Sequence, residues 1–211
     1  MDVGRGNLAI AGLDSKGIKR NHRGITTKAK AIAVDWNSGN IYWTDQNHEW
    51  IFTTTPDFKH TRPVVRNIEK PRGIAVYPQK GLLFWSQQQT KDEGAKIMKS
   101  TLSGYKKHVV ATVQGRPTSI AIDYAEDRLY WIDTDGMKVW YASINEVEGP
   151  TLIFHNNSLS LKDLHVFREW VYITSSMTNQ ILMLNKTSGE VLHTIFTSSP
   201  AAVAVIGGGA Q

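Results

Sequence analysis

Two carboxylates close short aromatic runs at matching places in the chain: Asp45 follows Tyr42-Trp43-Thr44, and Asp133 follows Tyr130-Trp131-Ile132. A carboxylate beside aromatic rings could act as a general acid, a metal ligand or an acceptor for backbone amides. The first two roles need further polar groups converging on it. The sequence holds no HxH, HExxH, GxSxG or GxxxxGK spacing. It also has no cysteine, which removes disulfides, cysteine-ligated zinc and thiol nucleophiles. No catalytic residue, metal site or cofactor is expected. Carboxylates at fixed places in a repeat are better suited to holding backbone amides.

The elements that place these residues recur. AIAVDWNSGNIYWTD at 31–45, GIAVYPQKGLLFWSQ at 73–87 and SIAIDYAEDRLYWID at 119–133 are clear copies, and DLHVFREWVYITS at 163–175 is a degraded one. A further first-strand echo, AAVAVIGG, begins at 201. Trp43 and Trp85 are 42 residues apart, and Trp85 and Trp131 are 46 apart, the length of a four-stranded propeller blade. In each copy the apolar IAV segment reads as an inner strand, a turn follows, and the alternating aromatic segment reads as the second strand. KIMKSTLSG with HVVATV, and QILMLNKTSG with EVLHTIF, read as third and fourth strands. A small twisted sheet cannot bury both faces alone, so Trp43, Trp85 and Trp131 are expected to fill the wedges between blades.

Composition agrees with an all-β domain. The 211 residues are 41% hydrophobic and 20% charged, with seven Trp, seven Tyr, six Phe and 17 dispersed Gly. The net charge of +5 comes from scattered cations with no run of five or six, so no nucleic-acid partner is expected. No apolar stretch approaches the roughly 18–20 residues that cross a bilayer, so this segment is not expected to insert in a membrane. The first residues, MDVGRGNLAIAGLDSKG, lack the pattern of a cleavable leader, and any anchor or signal is expected outside this chain.

Tyr42-Trp43-Thr44-Asp45 is a YWTD sequence, and Phe84-Trp85-Ser86 and Tyr130-Trp131-Ile132-Asp133 are variants of it. The chain resembles the YWTD β-propellers of the low-density lipoprotein receptor and its larger relatives such as megalin. Lys70-Pro71-Arg72-Gly73-Ile74-Ala75-Val76 is similar to that family's PRAIAV opening, and Leu164-His165-Val166-Phe167 with Val171-Tyr172 to its LTVFED-VYWTD form. Gln87 and Ser175 stand where the motif has Asp, and Ile173 where it has Trp. The resemblance implies a six-bladed propeller of which about five blades are present. The segments are 31–72, 73–118, 119–162 and 163–200, with partial blades at 1–30 and 201–211, and a fragment is the expected reason. It further implies a non-catalytic, ligand-binding module in the ectodomain of a single-pass receptor at the cell surface and in endosomes, flanked by EGF-like modules. An intracellular NHL-type scaffold and a propeller lactonase are the alternatives. The first generally lacks the motif Trp, and the second expects acidic residues or His around the axis.

Propellers bind partners where the loop entering each inner strand and the loop leaving the second strand converge. The entering positions are Lys30, Arg72, Thr118 and Lys162, and the leaving ones include Gln46, Asn47, Gln88, Thr134 and Asp135. Lys30 and Thr118 stand where peptide-binding relatives commonly carry Asp and Asn, which argues against an Asn-motif ligand. Three cations would instead favour an acidic extracellular protein ligand. His165 replaces the small residue found at Ala33, Ala75 and Ala121, and becomes the candidate sensor for the acid-driven release that the resemblance implies. Asn156-Asn157-Ser158 and Asn185-Lys186-Thr187 are glycosylation sequons, consistent with a secreted environment.

Overall fold

The structure, a computed structural model, describes residues 7–11, 18–23, 28–89, 94–145 and 149–205. Strands β1 (Asn7–Ala11) and β2 (Ile18–Arg23) pair as an antiparallel hairpin. Four antiparallel four-stranded sheets follow in chain order. Blade A is β3 (Ala29–Val34), β4 (Ile41–Asp45), β5 (Trp50–Thr54) and β6 (Thr61–Val65). Blade B is β7 (Pro71–Tyr77), β8 (Leu82–Gln87), β9 (Ala95–Thr101) and β10 (His108–Val113). Blade C is β11 (Pro117–Asp123), β12 (Arg128–Asp133), β13 (Lys138–Ser143) and β14 (Thr151–His155). Blade D is β15 (Leu161–Phe167), β16 (Trp170–Ser175), β17 (Gln180–Asn185) and β18 (Val191–Phe196). The chain is therefore an all-β propeller. The described residues hold four complete blades, at the four full segments expected, and the β1–β2 pair within the 1–30 segment. Of the 201–211 echo, 201–205 forms no strand and 206–211 lies outside the described residues.

Each inner strand starts two residues before its regular apolar run, and a bulge explains why. In blade A, Ala29 pairs with Asp45 and Ile32 with Trp43, so Lys30 and Ala31 together oppose Thr44. The same shift occurs between Pro71 and Ile74, Pro117 and Ile120, and Leu161 and Leu164. A bulge twists the strand and re-aims one side chain. It also leaves an amide without a ladder partner. The hydroxyl of the motif's third residue fills that gap: Ala31 N–H donates to Thr44 Oγ1 at 3.2 Å, Gly73 N–H to Ser86 Oγ at 2.8 Å, and Asp163 N–H to Thr174 Oγ1 at 3.1 Å. The same hydroxyls donate across to the next blade, Thr44 Oγ1 to Arg72 O at 2.6 Å and Ser86 Oγ to Thr118 O at 3.0 Å. One Thr or Ser thus satisfies a buried amide and ties two blades.

The aromatic pair divides its work by strand alternation. Tyr42, Phe84 and Tyr130 face the following blade, and Trp85, Trp131 and Ile173 face the preceding one, so each wedge receives one of each. Tyr42 and Trp85 share the core between A and B, Phe84 and Trp131 that between B and C, and Tyr130 and Ile173 that between C and D. Trp43, on the far face of blade A, stacks on Phe52 at 5.5 Å.

Candidate functional site

The bulges point the four entering residues toward the axis. Lys30, Arg72, Thr118 and Lys162 line one cavity of about 400 Å³ together with Ser119, Asp163, Ala201 and Ala202. Its wall is built from the first residues of four inner strands, so blade packing rather than loop conformation sets its shape. The Nε of Arg72 and the Oγ1 of Thr118 are buried there without a hydrogen-bond partner. Burial lowers the Arg72 pKa, with Arg116 adding repulsion, and burial lowers that of Lys30, with Arg72 and Lys28 adding to it. Crowded, partly desolvated cations with unused donors are a site poised for an anion.

The leaving residues do not line this cavity. Their backbones are held close to the entering strands: Gln46 N–H donates to Lys28 O at 3.2 Å, Gln88 N–H to Lys70 O at 3.4 Å, and Thr134 N–H to Arg116 O at 3.0 Å. Asn47 uses its amide on Asp45 Oδ1 at 2.9 Å, and Asp135 pairs with Arg116 at 3.1 Å. Asp45 also accepts the His48 amide at 3.1 Å, and Asp133 accepts the amides of Arg116 at 2.8 Å and Asp135 at 3.1 Å. Both motif carboxylates therefore hold loops. Where Ser175 replaces Asp in blade D, its Oγ accepts the Ser160 amide at 3.2 Å and the Thr178 hydroxyl at 2.8 Å, so one backbone amide is held in place of two.

Sequence reasoning missed Asp163 and Ser119, because it considered only the entering position and not the second bulge residue. Ile132 has no hydroxyl to tie blade C to blade D. Instead Ser119 Oγ donates to Asp163 Oδ1 at 2.5 Å and accepts the Leu164 amide at 3.3 Å. The other oxygen of Asp163 accepts the Val203 amide at 3.0 Å, which holds the 201–205 segment beside the axis. The isoleucine in the third motif place was the available signal. Among the described residues Asp163 is the one acid lining the cavity, and with both oxygens engaged by Ser119 and Val203 its single charge offsets only part of that of the three cations.

His165 lies deeper in the channel. It lines a second axial cavity of about 270 Å³ with Ile32, Ile74 and Ile120, floored by Trp36 and Tyr124, whose rings meet edge-on at 4.9 Å. Its Nε2 is buried without a partner. Burial lowers the His165 pKa, and Asp163 opposes that only in part. A histidine depressed in the fold takes up its proton more readily when unfolded, so its contribution to stability is present above about pH 6.5 and is lost as pH falls below that value. NMR titration of His165 is expected to give a midpoint below that of an exposed histidine, and His165→Ala to reduce the acid lability of the fold. A midpoint above 6.5 would contradict this assignment.

Of the sequons, Asn156 is exposed in the turn after β14, where its side chain accepts the Ser158 amide at 2.9 Å. Asn185 is half-buried, accepts the amides of Thr187 at 2.9 Å and Ser188 at 3.0 Å, and is followed by the buried Lys186. Among the described residues no three His, Cys, Asp or Glu converge as a metal site, and no helix is long and apolar enough to cross a membrane.

A family model described as outer membrane protein assembly factor BamB matches residues 21–149. The vitellogenin receptor of Solenopsis invicta is 26% identical over 160 residues, which cover 75% of this chain and 9% of that receptor. The human low-density lipoprotein receptor-related protein 5-like protein is 29% identical over 168 residues, covering 75% and 62% of the two chains. The vitellogenin receptor Yl of Drosophila melanogaster is 34% identical over 167 residues, covering 75% and 8%. This chain thus spans under two thirds of each of these relatives. Among solved structures, one in a nidogen/laminin complex superposes with a TM-score of 0.74 at 18% identity, covering 85% of this chain and 67% of the other. Virginiamycin B lyase from Staphylococcus aureus gives 0.71 at 15% identity, covering 94% and 67%. These two likenesses establish the fold, which carries a complex component and an enzyme alike. The chain belongs to the family that the matching model describes and, by its repeat and its relatives, is a YWTD β-propeller of the low-density lipoprotein receptor type.

Proposed function

We propose that this chain is the non-catalytic ligand-binding module of a receptor, and that it takes an acidic segment of a protein partner into the axial cavity. The observation that carries this reading is the convergence of Lys30, Arg72 and Lys162 on one cavity, with the Arg72 Nε and Thr118 Oγ1 left without partners. A ligand carboxylate would accept from Arg72 and relieve the repulsion among the cations, while Thr118 would supply a neutral hydrogen bond. The relatives that carry the receptor name support the module's class. An extracellular location, flanking EGF-like modules, glycosylation at Asn156 and Asn185, endocytosis and acid-driven release belong to the same reading. His165 would act in release by taking up a proton in a buried site and so destabilising the channel that holds the ligand, since its charge by itself attracts a carboxylate.

The test uses Asp- and Glu-rich peptides, with amidated counterparts as controls, titrated calorimetrically into the protein. Replacing Lys30, Arg72 and Lys162 together with Ala should leave the circular dichroism spectrum unchanged and weaken acidic-peptide binding by at least about tenfold, as expected for lost charge-assisted hydrogen bonds. Equal affinity of the triple variant and the native chain would sink the proposal.

A further inference from the structure

The opposite end of the propeller carries a second cationic surface that the axial reading does not use. At the outer corner of blade A, Asn40, Thr53, Thr54, Thr55, Lys59, His60, Thr61 and Arg62 enclose a groove of about 420 Å³. Thr53 is 6% exposed, its hydroxyl beside that of Tyr42. Arg62 pairs across the sheet with Thr53, on the side of blade A that faces blade B. Blade B extends this surface. Its outer hairpin rests on β6, with Gly104 packed against the Val64 carbonyl, two residues from Arg62. Beyond Gly104 the hairpin presents Tyr105, Lys106, Lys107 and His108, all exposed, with Tyr105 at 74%. Asp57 is the one carboxylate paired here among the described residues, 3.6 Å from Lys59 in an exposed contact, and such contacts are weak.

We propose that this corner, shared by blades A and B, is a binding site for a linear sulfated polysaccharide. Two short clusters, Lys59-His60-Thr61-Arg62 and Lys106-Lys107-His108, sit on adjoining hairpins, an arrangement that fits the spaced anions of a polymer rather than one anion. The groove's other lining groups are hydroxyls and an amide, with no apolar side chain. A sugar needs such neutral donors and acceptors; a lipid surface or a nonpolar peptide does not. Tyr105 offers an exposed ring on which a pyranose face can rest.

Size-defined heparin oligosaccharides are the probe, with desulfated heparin, phosphatidylserine vesicles and poly-glutamate as comparators, all in the same buffer. The native chain should bind heparin, lose it on desulfation, and prefer it at least about tenfold over the vesicles, and the Lys30/Arg72/Lys162 alanine variant should prefer it at least about tenfold over poly-glutamate. The Arg62→Glu/Lys107→Glu variant spares Lys106, whose backbone φ is +53°. It should bind at least about tenfold more weakly, with a log Kd against log salt slope reduced by roughly one per cation removed. The Lys30/Arg72/Lys162 alanine variant should keep heparin affinity within about twofold, which separates this site from the axial one. Unchanged binding by the double variant, loss of heparin in the axial variant, equal binding of the native chain to vesicles, or equal binding of the axial variant to poly-glutamate would overturn the proposal.

Discussion

Gly104→Ala is expected to destabilise the fold by about 3 kcal/mol, the sum of left-handed backbone strain and overpacking. Gly104 has φ +86°, and a methyl group there would lie 1.9 Å from the Val64 carbonyl oxygen and 2.8 Å from its carbon. Those atoms belong to β6 of the preceding blade, so relief requires moving a strand rather than a side chain. Gly189 repeats the arrangement one junction on but one, with φ +71° and a methyl 1.7 Å from the Ile153 carbonyl oxygen of β14. Gly81 is the internal control. Its φ is +64°, but nothing lies within 4 Å, so Gly81→Ala meets the backbone strain alone, about 1 kcal/mol. For a domain of this size, the losses correspond to melting-temperature drops of roughly 6–12 °C for Gly104→Ala and Gly189→Ala and 2–4 °C for Gly81→Ala. If the three variants melted together, close packing of hairpin on strand would not be what holds neighbouring blades in register.

These glycines mark the boundary of what was readable beforehand. LSG and TSG identified the hairpins, because a turn needs a residue tolerant of positive φ. That each turn also docks on the preceding blade depends on how twisted sheets stack, which spacing along one chain does not encode. The motif behaves likewise. Its period gave the blades and its aromatics gave the wedge, since strand alternation fixes their opposite facing. The bulge did not show, because Lys30-Ala31 and Arg72-Gly73 contain nothing that forces an extra residue; only the register opposite Thr44 and Ser86 reveals it. The axial cations were legible for the same reason as the repeat: they occupy one position per blade, and symmetry brings equivalent positions together. The leaving residues do not line the axial cavity, and their backbones are instead tied to the residues before the inner strands, Gln46 to Lys28 and Thr134 to Arg116. The groove at the A–B corner breaks the symmetry altogether, and no repeat-based reasoning reaches it.

Lys186 is where one substitution should cost the most through electrostatics. The residue is 2% exposed, and its Nζ donates to Asp123 Oδ2 at 2.8 Å and to Glu126 Oε1 at 2.8 Å, with Glu169 at 3.9 Å. It reaches from the end of β17 in blade D to the first turn of blade C. Burial works to lower its pKa, and the bonds to Asp123 and Glu126 outweigh that and raise it. A lysine raised in the fold stabilises fully below its unfolded value of about 10.4, so the contact is intact at neutral pH and is lost only as pH climbs through the higher folded value. Lys186→Met keeps the length of the side chain and removes the charge, leaving Asp123, itself 5% exposed, without its counterion. Removing one partner of such a pair costs about 3–5 kcal/mol. Asp123 Oδ1 still accepts the amides of Ala125 at 3.0 Å and Glu126 at 3.3 Å, which an asparagine can also do. Adding Asp123→Asn to Lys186→Met should therefore recover about half of the loss, measured by urea unfolding at pH 7, because the uncompensated charge goes while the turn stays capped. If the double variant is as unstable as the two single losses added together, Lys186 holds blades C and D through packing of its alkyl chain, and the ion pair is incidental.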